Sequence, residues 1–380
     1  CTRRPRRRRG RSPRPPPMAA EAVARPKARA GRRWRCAAGA RLPGVGLALP
    51  AVTAAGTLLA LLPLAAAQGP EPAPLWPYSE TTARAFATLT QASYCDVGAD
   101  RQALLEWECP ECREAGFELD PSTTRFVERQ EIWQANSTFA LISRLRLTEP
   151  KALMSNDGCV VSVRGSETLT NWIRDLQFWR DPVAFEWCDG CFVEDGFYTV
   201  TKSLMVRLVP GLQEIGCVPE QELSKAGPGA TSSLYFTGHS LGAAVSTLAM
   251  CLLQVLGFRV KLSHIFESPR VGNHVFASVF DQEFTRKIPV FRMTYNKDPV
   301  PHLPPKLLGF RHVNYEVHYD KHGGYTICPE AEDRRCADRY PLLGLVTHGS
   351  DHCTNPLGTR GSICYCPWVD PPKVQQELLV

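Results

Sequence analysis

Apolar and polar positions along the chain alternate in a way that predicts a series of strands and helices. Short runs rich in β-branched residues are bounded by polar loops, as in buried strands, whereas longer segments have the apolar spacing of amphipathic helices. The predicted strands lie at 139–146 and 158–164 and within 261–273 and 286–298, and the predicted helices at 80–94 and 196–216. Strands that alternate with helices favour an α/β fold, with a mostly parallel central sheet and helices on both of its faces.

The segment 232–255 joins an apolar run to a long, alanine-rich apolar stretch that reads as a helix. The junction, residues 238–242, reads Gly-His-Ser-Leu-Gly, and G-x-S-x-G between a strand and a helix is typical of the nucleophile elbow of α/β-hydrolases. A sharp bend that presents the hydroxyl of Ser240 leaves no room for side chains two residues away, which explains the glycines at 238 and 242. The alternative is a tight turn in which Ser240 merely caps the helix.

Positive charge is concentrated in the first part of the chain. Residues 1–42 hold fifteen of the 44 Lys and Arg residues and a single acidic residue, Glu21, so this segment carries +14. The whole chain carries +6, which leaves −8 for the remainder. The excess of positive charge therefore belongs to the leader, and we expect no nucleic-acid partner.

An uncharged apolar run, residues 42–67, follows the arginine-rich leader and ends in three alanines. Such a run predicts a secretory signal cleaved before Gln68, and hence a secreted or secretory-pathway protein, although its length also permits an uncleaved signal anchor. We expect translation to start at Met18. The expected organisation is a basic leader plus signal at 1–67, a proline-rich linker at 68–79, one α/β-hydrolase domain at 80–370 and a tail at 371–380.

A serine nucleophile requires a general base and a third group that orients the base. In α/β-hydrolases the acid follows the serine along the chain and the histidine follows the acid, each on a loop after a strand. Asp298 lies where an apolar strand runs into a proline-rich loop, and it is the predicted acid.

Six histidines follow Asp298 along the chain and are candidates for the general base. His302 is too near Asp298 to come from a separate loop, and position alone leaves both His348 and His352 open as the base. His318 and His322 lack a carboxylate or a third histidine in a recognisable metal-binding pattern, so we interpret them as solvated loop residues.

Six stretches of the chain carry a shared set of motifs. They are VSVRGSETLTNWIRDLQF (161–178), FVEDGFYTV (192–200), YFTGHSLGAAVSTLA (235–249), FESPRVGN (266–273), RMTYNKDPVPHLPP (292–305) and SDHCTN (350–355). In these stretches, and in their order across roughly residues 75–366, the chain resembles class 3, fungal-type triacylglycerol lipases of the α/β-hydrolase superfamily. The resemblance implies a triad of Ser240, Asp298 and His352, and a structural role for His312.

An oxyanion hole and a lid complete the expected site. The elbow motif assigns one oxyanion donor to the backbone N–H of Leu241, and the resemblance implies that Ser166 supplies the second, while Ser166 could also cap the next helix. Leu169, Trp172 and Ile173 share one face of that helix. The resemblance implies that this helix is a lid that opens at a lipid surface, and the alternative is a permanently packed helix.

Thirteen cysteines after residue 67 indicate an oxidising compartment and several disulfides. The resemblance implies a short bridge between Cys109 and Cys112, a bridge between Cys328 and Cys336, and a bridge from Cys95 to Cys364 or Cys366. Cys188 and Cys191 form a second C-x-x-C pair, for which we expect another short disulfide. The alternative is that the two C-x-x-C pairs together bind zinc, which the wide separation of Cys112 and Cys188 and the oxidising compartment disfavour. Cys251 is expected to be a buried thiol, and Asn136 lies in a glycosylation sequon.

The resemblance implies a secreted serine hydrolase that cleaves acylglycerol esters at a lipid–water interface, with transient contact to a membrane or lipid-droplet surface. It implies no metal or organic cofactor, and the sequence leaves the oligomeric state open. A phospholipase, galactolipase or feruloyl-type esterase would use the same triad. A binding protein that has lost catalysis is the alternative from a different functional class.

Overall fold

The computed structural model describes residues 76–95, 98–108, 117–128, 139–147, 158–166, 180–182, 188–341 and 348–366. The α-helices are α1 (Glu80–Ala92), α2 (Gly98–Leu105), α3 (Asp195–Glu214), α4 (Leu241–Val255) and α5 (His274–Phe280). The strands are β1 (Phe117–Leu119), β2 (Arg125–Glu128), β3 (Phe139–Leu147), β4 (Cys159–Val163), β5 (Arg180–Pro182), β6 (Phe192–Glu194), β7 (Ser233–His239), β8 (Arg259–Phe266), β9 (Gly272–Asn273), β10 (Val290–Tyr295), β11 (Phe310–Arg311), β12 (Glu316–Tyr319) and β13 (Tyr325–Cys328).

Nine strands of the described residues form one sheet in the order β1-β3-β4-β7-β8-β10-β12-β13, with β2 also paired to β3. The five strands β4, β7, β8, β10 and β12 are parallel to one another, whereas β3 and β13 run antiparallel to their neighbours. The prediction of a mostly parallel sheet is therefore confirmed. Because parallel strands end at the same edge of a sheet, the loops after β4, β7, β8 and β10 meet there.

Apolar side chains cover both faces of the sheet, as expected for a central strand that is buried on each side. On β7, Tyr235 packs in the cluster that contains Phe86 and Leu89 of α1. The next residue, Phe236, packs in the opposite cluster with side chains of α3 and α4, including Leu204. Within the described residues, no helix is both long enough and apolar enough to span a membrane.

The strands predicted at 139–146, 158–164 and within 261–273 and 286–298, and the helices predicted at 80–94 and 196–216, all occur, with ends shifted by a few residues. The two runs at 139–146 and 158–164 become β3 and β4, which pair antiparallel with Ile142 opposite Val161. The helix predicted at 196–216 is α3, in which Leu204, Leu208 and Leu212 lie on one buried face. The loop-rich region after residue 320 also contains a strand, β13, which the pattern did not predict.

His264 occupies an unusual position in the middle of β8. Its side chain is fully buried, its ring stacks on Phe86 with 4.7 Å between centroids, and Phe291 lies 5.2 Å away. Neither ring nitrogen has a hydrogen-bond partner among the described residues. Burial in these apolar surroundings lowers the pKa of His264 to about 3, so the ring is neutral in the folded protein at neutral pH.

We expect the stability of the protein to fall in acid partly through His264. In the folded protein the His264 ring stays neutral down to about pH 3, whereas in the unfolded chain it takes up a proton near its ordinary pKa of about 6.5. Below about pH 6.5, protonation therefore favours the unfolded chain, and the free energy of unfolding falls on acidification. Between pH 6 and 4, the free energy of unfolding of the wild type should fall more steeply than that of His264→Phe, by about 1.4 kcal/mol per pH unit. Chemical denaturation at a series of pH values measures this slope.

The exposed His274 provides the matched control, since His274→Phe should leave the pH slope unchanged. The slope is the criterion, because a phenylalanine can also change the absolute stability through packing. Equal slopes for His264→Phe and the wild type would contradict the assignment of His264 as a buried neutral ring.

Candidate active site

The chain bends sharply at Ser240, between the end of β7 and the start of α4. Ser240 has φ 58° and ψ −125°, a conformation that is uncommon for serine and costs about 1–3 kcal/mol. The Ser240 N–H donates to the carbonyl of Phe266 at the end of β8, and its carbonyl accepts from the Ala243 N–H, both at 3.0 Å. The strained serine is thus held by the neighbouring strand on one side and by the first turn of α4 on the other.

The two flanking glycines are required by close packing. A Cβ atom on Gly238 would lie 2.6 Å from the carbonyl oxygen of Gly242. A Cβ atom on Gly242 would collide with the carbonyl oxygen of Val163 and lie 2.7 Å from that of Arg164. These contacts are with backbone atoms, which cannot move aside as a side chain can. The steric explanation of the glycine spacing is therefore confirmed, and it reflects how tightly the start of α4 packs on β4.

Asp298 and His352 form a buried pair beside this bend. Asp298 follows β10, and its Oδ2 atom lies 2.8 Å from His352 Nδ1, while its Oδ1 accepts from the Val300 N–H at 2.9 Å. Since a carboxylate accepts, His352 Nδ1 carries the proton and Nε2 is the basic atom of the neutral ring. His352 Nε2 and Ser240 Oγ are both buried, and neither has a hydrogen-bond partner within the described ranges. Long catalytic hydrogen bonds are common in enzymes without substrate.

His239, the residue before Ser240, connects three parts of the site. Its ring lies 4.6 Å from that of His352, centroid to centroid, and its Nε2 lies 2.9 Å from the His352 carbonyl oxygen, which can only accept. His239 Nδ1 then accepts from the Tyr94 hydroxyl at 2.8 Å, and that hydroxyl accepts from the Gly165 N–H at 3.2 Å. Burial and the neighbouring His352 lower the pKa of His239 well below its ordinary value, so the neutral ring can maintain this network.

Asp351 ties the loop of the acid to the loop of the base. Its Oδ2 atom accepts from Asn296 Nδ2 at 2.9 Å and from the Lys297 N–H at 3.3 Å. Both donors lie just before Asp298, and Asp351 lies just before His352. The hydrogen bonds therefore set the distance between the two loops on which the Asp298–His352 contact depends.

Arg270 supports the loop that follows Asp298. Its guanidinium donates to the carbonyl oxygens of His302 and Pro304, and its backbone N–H donates to Leu303 at 2.7 Å. The same guanidinium pairs with both carboxylate oxygens of Glu332, each at 2.8 Å. This pairing with Arg270, together with His312, holds the pKa of Glu332 below its ordinary value despite burial. A bidentate pair of this kind fixes geometry as well as charge.

The two residues expected to form the oxyanion hole, Leu241 and Ser166, follow directly on Ser240 and on a glycine that packs against Ser240. Leu241 is the first residue of α4, and the helix offers no internal partner for the N–H groups of its first turn. Gly165, at the end of β4, passes so close that a Cβ atom on it would lie 3.2 Å from the Cβ of Ser240 and 2.9 Å from the His239 carbonyl oxygen. Ser166 follows directly and is half-buried. The structure thus brings Ser166 and Leu241 to the neighbourhood of the nucleophile from two different elements.

The remaining histidines are separated clearly by their surroundings. His348 is one-third exposed and lies 3.6 Å from Asp351, not beside Asp298. His302 is buried without a hydrogen-bond partner for Nε2 among the described residues, and His312 Nε2 donates to the Pro301 carbonyl at 2.6 Å, as a structural histidine would. Of the two late candidates, the structure brings only His352 to the acid.

The interpretation of His318 as a solvated loop residue was wrong, whereas His322 is exposed as expected. His318 is 1% exposed and lies in β12, where its Nδ1 is 2.9 Å from Thr294 Oγ1 on the neighbouring β10. The polar sequence of β12 concealed this strand. The acidic residue of β12, Glu316, is also buried, and it pairs with Arg292 at 2.9 Å.

Disulfides join distant parts of the chain around the site. Cys95 bonds to Cys366, one of its two expected partners, while Cys364 bonds instead to Cys353, directly after His352. The complete set within the described residues is Cys95–Cys366, Cys159–Cys217, Cys188–Cys191, Cys328–Cys336 and Cys353–Cys364. The bridges of Cys159 and of Cys353 were not predicted, since nothing in the sequence links the partners. Cys251 is a buried free thiol, as expected.

Several predicted features lie outside the described residues. They are the leader and signal at 1–67, the expected Cys109–Cys112 bridge, the sequon at Asn136, the lid residues Leu169, Trp172 and Ile173, and the tail at 371–380. Within the described ranges, no three His, Cys, Asp or Glu side chains are grouped so as to hold a metal ion.

Comparison with known proteins adds a family and a fold. Residues 160–308 match the profile of the family described as Lipase (class 3). Over 162 residues the chain is 33% identical to secreted mono- and diacylglycerol lipase A of Penicillium cyclopium, covering 43% of this chain and 48% of that protein. Over 164 residues it is 35% identical to secreted mono- and diacylglycerol lipase 1 of Fusarium solani, covering 42% and 44%. The chain thus spans about half the length of these relatives.

The crystal structure of a lipase from Rhizopus microsporus var. chinensis matches 75% of this chain and 92% of its own, with a TM-score of 0.53 and 22% identity. At this level of identity the likeness concerns the fold. The chain therefore has the α/β-hydrolase fold, as predicted from the elbow motif and the alternation of strands and helices.

The hydrogen-bond network through His239 makes Tyr94 a residue on which the site should depend. In Tyr94→Phe, the Gly165 N–H and His239 Nδ1 both lose a buried partner, and each such loss costs about 1–3 kcal/mol. We expect kcat for hydrolysis of a short p-nitrophenyl ester to fall by about tenfold. The matched control is Tyr78→Phe, which removes the hydroxyl that faces Tyr319 at 2.7 Å. Equal losses in the two variants would contradict a specific role of Tyr94.

Proposed function

Since this chain belongs to the class 3 lipase family, we propose that it is a carboxylic ester hydrolase that cleaves acylglycerols through an acyl-enzyme. The observation that carries the proposal is the buried pair of Asp298 and His352 beside a strained serine at the end of β7. A serine that merely capped α4 would need neither a positive φ nor an oriented imidazole next to it.

In the first half of the proposed reaction, Ser240 Oγ attacks the ester carbonyl carbon while His352 Nε2 takes the hydroxyl proton. The tetrahedral intermediate collapses when the bond to the alcohol breaks and His352 returns the proton to the departing oxygen. In the second half, water attacks the acyl-enzyme, His352 takes a proton from the water, and Ser240 leaves with that proton. Asp298 stays ionised and stabilises the imidazolium that forms in each half.

The oxyanion of each intermediate would be stabilised by the N–H groups of Leu241 and Ser166, with the Ser166 hydroxyl as a further donor. Removing one such donor typically costs about 3–4 kcal/mol of transition-state stabilisation. The approach of Gly165 to the Ser240 Cβ supports this role for the residue that follows it. Tyr94 would contribute indirectly, because it accepts from the Gly165 N–H and thereby fixes the end of β4.

The relatives suggest the substrate and the compartment. The Penicillium and Fusarium proteins are described as secreted mono- and diacylglycerol lipases, so we include partial glycerides among the substrates. Five disulfides within the described residues support an oxidising compartment, and with it a secreted or secretory-pathway location. The segment around Trp172 remains our proposed lid, which would uncover the site when its apolar face meets lipid.

The role of Ser240 can be tested by a single substitution. Ser240→Ala should lower the hydrolysis rate of a soluble ester at least about a thousandfold without changing the fold, and it should abolish covalent labelling by a fluorophosphonate. Ser278, which is exposed on α5, provides the control, since Ser278→Ala should keep both activity and labelling. Activity and labelling that survive in Ser240→Ala, with a normal circular dichroism spectrum, would exclude the proposed nucleophile.

The action at an interface can be tested by comparing two triglycerides. The rate of tributyrin hydrolysis should rise abruptly when its concentration exceeds its solubility, because the proposed lid opens only on lipid, whereas the rate with soluble triacetin should saturate smoothly. Replacing Trp172 by Ala should reduce the abrupt rise and leave the triacetin rate within a few fold. A smooth tributyrin curve would contradict the lid and favour an esterase that acts on dissolved substrate.

A further inference from the structure

A second carboxyl group, that of Glu267, lies next to the proposed catalytic acid. Glu267 directly follows β8, the strand that also accepts the Ser240 N–H through Phe266. Its side chain is fully buried, and its backbone has φ 49°, in the left-handed region that is unfavourable for a residue with a long side chain. A strained backbone and a buried ionisable side chain both cost stability, and their coincidence at the site points to a function.

The contacts of Glu267 join the three loops of the site. Its Oε2 atom accepts from the Tyr295 N–H at 3.0 Å, at the end of β10, and its Oε1 accepts from Asn355 Nδ2 at 3.1 Å. Asn355 is fully buried and lies three residues after His352. The side chain of Asp298 is the charged neighbour whose proximity, after burial, raises the pKa of the Glu267 carboxyl group.

Two neighbouring buried carboxyl groups do not both ionise readily, because two anions repel each other strongly where little water screens them, so one of the two keeps its proton. The other groups around Glu267 are the Tyr295 N–H and the Asn355 amide, which are neutral, with the imidazole of His352 on the far side of Asp298. Burial and the charge of Asp298 raise the pKa of Glu267 well above its ordinary value. Of the two carboxyl groups, Asp298 is the one that contacts an imidazole, a group that can itself become positively charged, whereas both donors to Glu267 stay neutral.

We infer that Glu267 is a positioning residue of the triad, which keeps its proton at neutral pH and donates it to Asp298 while its oxygens hold the loops of Tyr295 and Asn355 together. The inference rests on the proposed function, because it assigns Glu267 to the orientation of the proposed acid. The pair then carries one negative charge rather than two. Asp298 is fixed by three donors, and its Oδ2 atom keeps its direction towards His352 Nδ1.

The proton on Glu267 can be tested without any measurement of activity. The folded wild type holds one proton more than the unfolded chain above about pH 5, so its stability declines as the pH rises, whereas Glu267→Gln has no proton to hold. The ratio of the unfolding constants, wild type over Glu267→Gln, should therefore increase about tenfold per pH unit between pH 5 and 7. The exposed Glu283 gives the control, for which Glu283→Gln should keep a constant ratio.

A constant ratio for Glu267→Gln as well would overturn the protonated state. If this variant does not fold, the wild type alone provides the answer. Glutamate labelled with ¹³C in the side-chain carboxyl should give one resonance at the protonated position at pH 7, and its absence would overturn the inference.

The positioning role is tested by kinetics, with rates expressed per active site titrated by a fluorophosphonate. Glu267→Ala removes the donor to Asp298 and the bridge to Asn355, and a small displacement of catalytic groups can cost up to about a hundredfold. We expect kcat to fall about ten- to a hundredfold with KM changed by less than about threefold. Glu267→Gln retains an N–H donor for Asp298 but loses one acceptor, so its kcat should fall only a few fold.

The pH profile separates positioning from a purely structural role. Because Gln replaces a neutral carboxyl group, the midpoint of the acidic limb of kcat/KM should stay within about 0.3 pH units, whereas removal of an ionised Glu267 would move it to lower pH. A kcat for Glu267→Ala within about twofold of the wild type, or a shifted limb in Glu267→Gln, would overturn the inference. Failure of the proposed function itself would appear as persistent activity in Ser240→Ala, with the stability ratio for Glu267 unaffected.

Discussion

The hydrogen bond between Asp298 and His352 is the interaction on which the site depends. Both side chains are nearly inaccessible to water, and a carboxylate in such a place is costly unless several donors replace its hydration. Val300, His352 and, by our inference, Glu267 supply those donors. The neighbouring contacts of Asp351 and Arg270 act on the loops rather than on the charge, and they keep the acid and the base at hydrogen-bond distance. Much of the polar structure near the sheet edge serves this one contact.

The parallel sheet makes the arrangement possible because β4, β7, β8 and β10 end at the same edge. Each strand end contributes one element of the site: Gly165 and Ser166 after β4, the proposed nucleophile after β7, Glu267 after β8 and the proposed acid after β10. The proposed base, His352, comes from the described segment 348–366, which contains no strand. Its loop is held by the disulfide of Cys353, by the carbonyl contact to His239 and by Asp351.

Sequence reasoning succeeded where the determining contacts are local. The elbow could be predicted because the constraints on Ser240 come from residues two positions away. Asp298 could be predicted because a strand precedes it and a turn follows it within a few residues. The choice between His348 and His352 could not be made from the local pattern, because the two histidines lie only four positions apart in the same part of the chain. The choice required the family resemblance. His318 was misjudged because its burial depends on pairing with Thr294 on another strand.

Glu267 and the Cys159–Cys217 disulfide were missed for the same reason, because their partners lie far away along the chain. A glutamate after a buried strand, within Phe-Glu-Ser-Pro-Arg, reads as an ordinary loop residue. Only the fold reveals that it faces another carboxyl group. The sequence did contain one useful signal. The residues on both sides of Glu267 belong to motifs of the site, and an acidic residue in such a place is expected to be shielded from water.

The buried ionisable groups change the stability of the fold in opposite directions as the pH changes. His239 and His264 are neutral when buried, so they weaken the fold as the pH falls, whereas a protonated Glu267 weakens it as the pH rises. The site thus restricts the pH range of greatest stability from both sides. Disulfides typically contribute about 2–4 kcal/mol each by restricting the unfolded chain. The Cys159–Cys217 and Cys353–Cys364 bridges close loops that carry Ser166 and Asn355, respectively. We infer that these cross-links offset the cost of keeping acid, base and positioning residues in a dry environment.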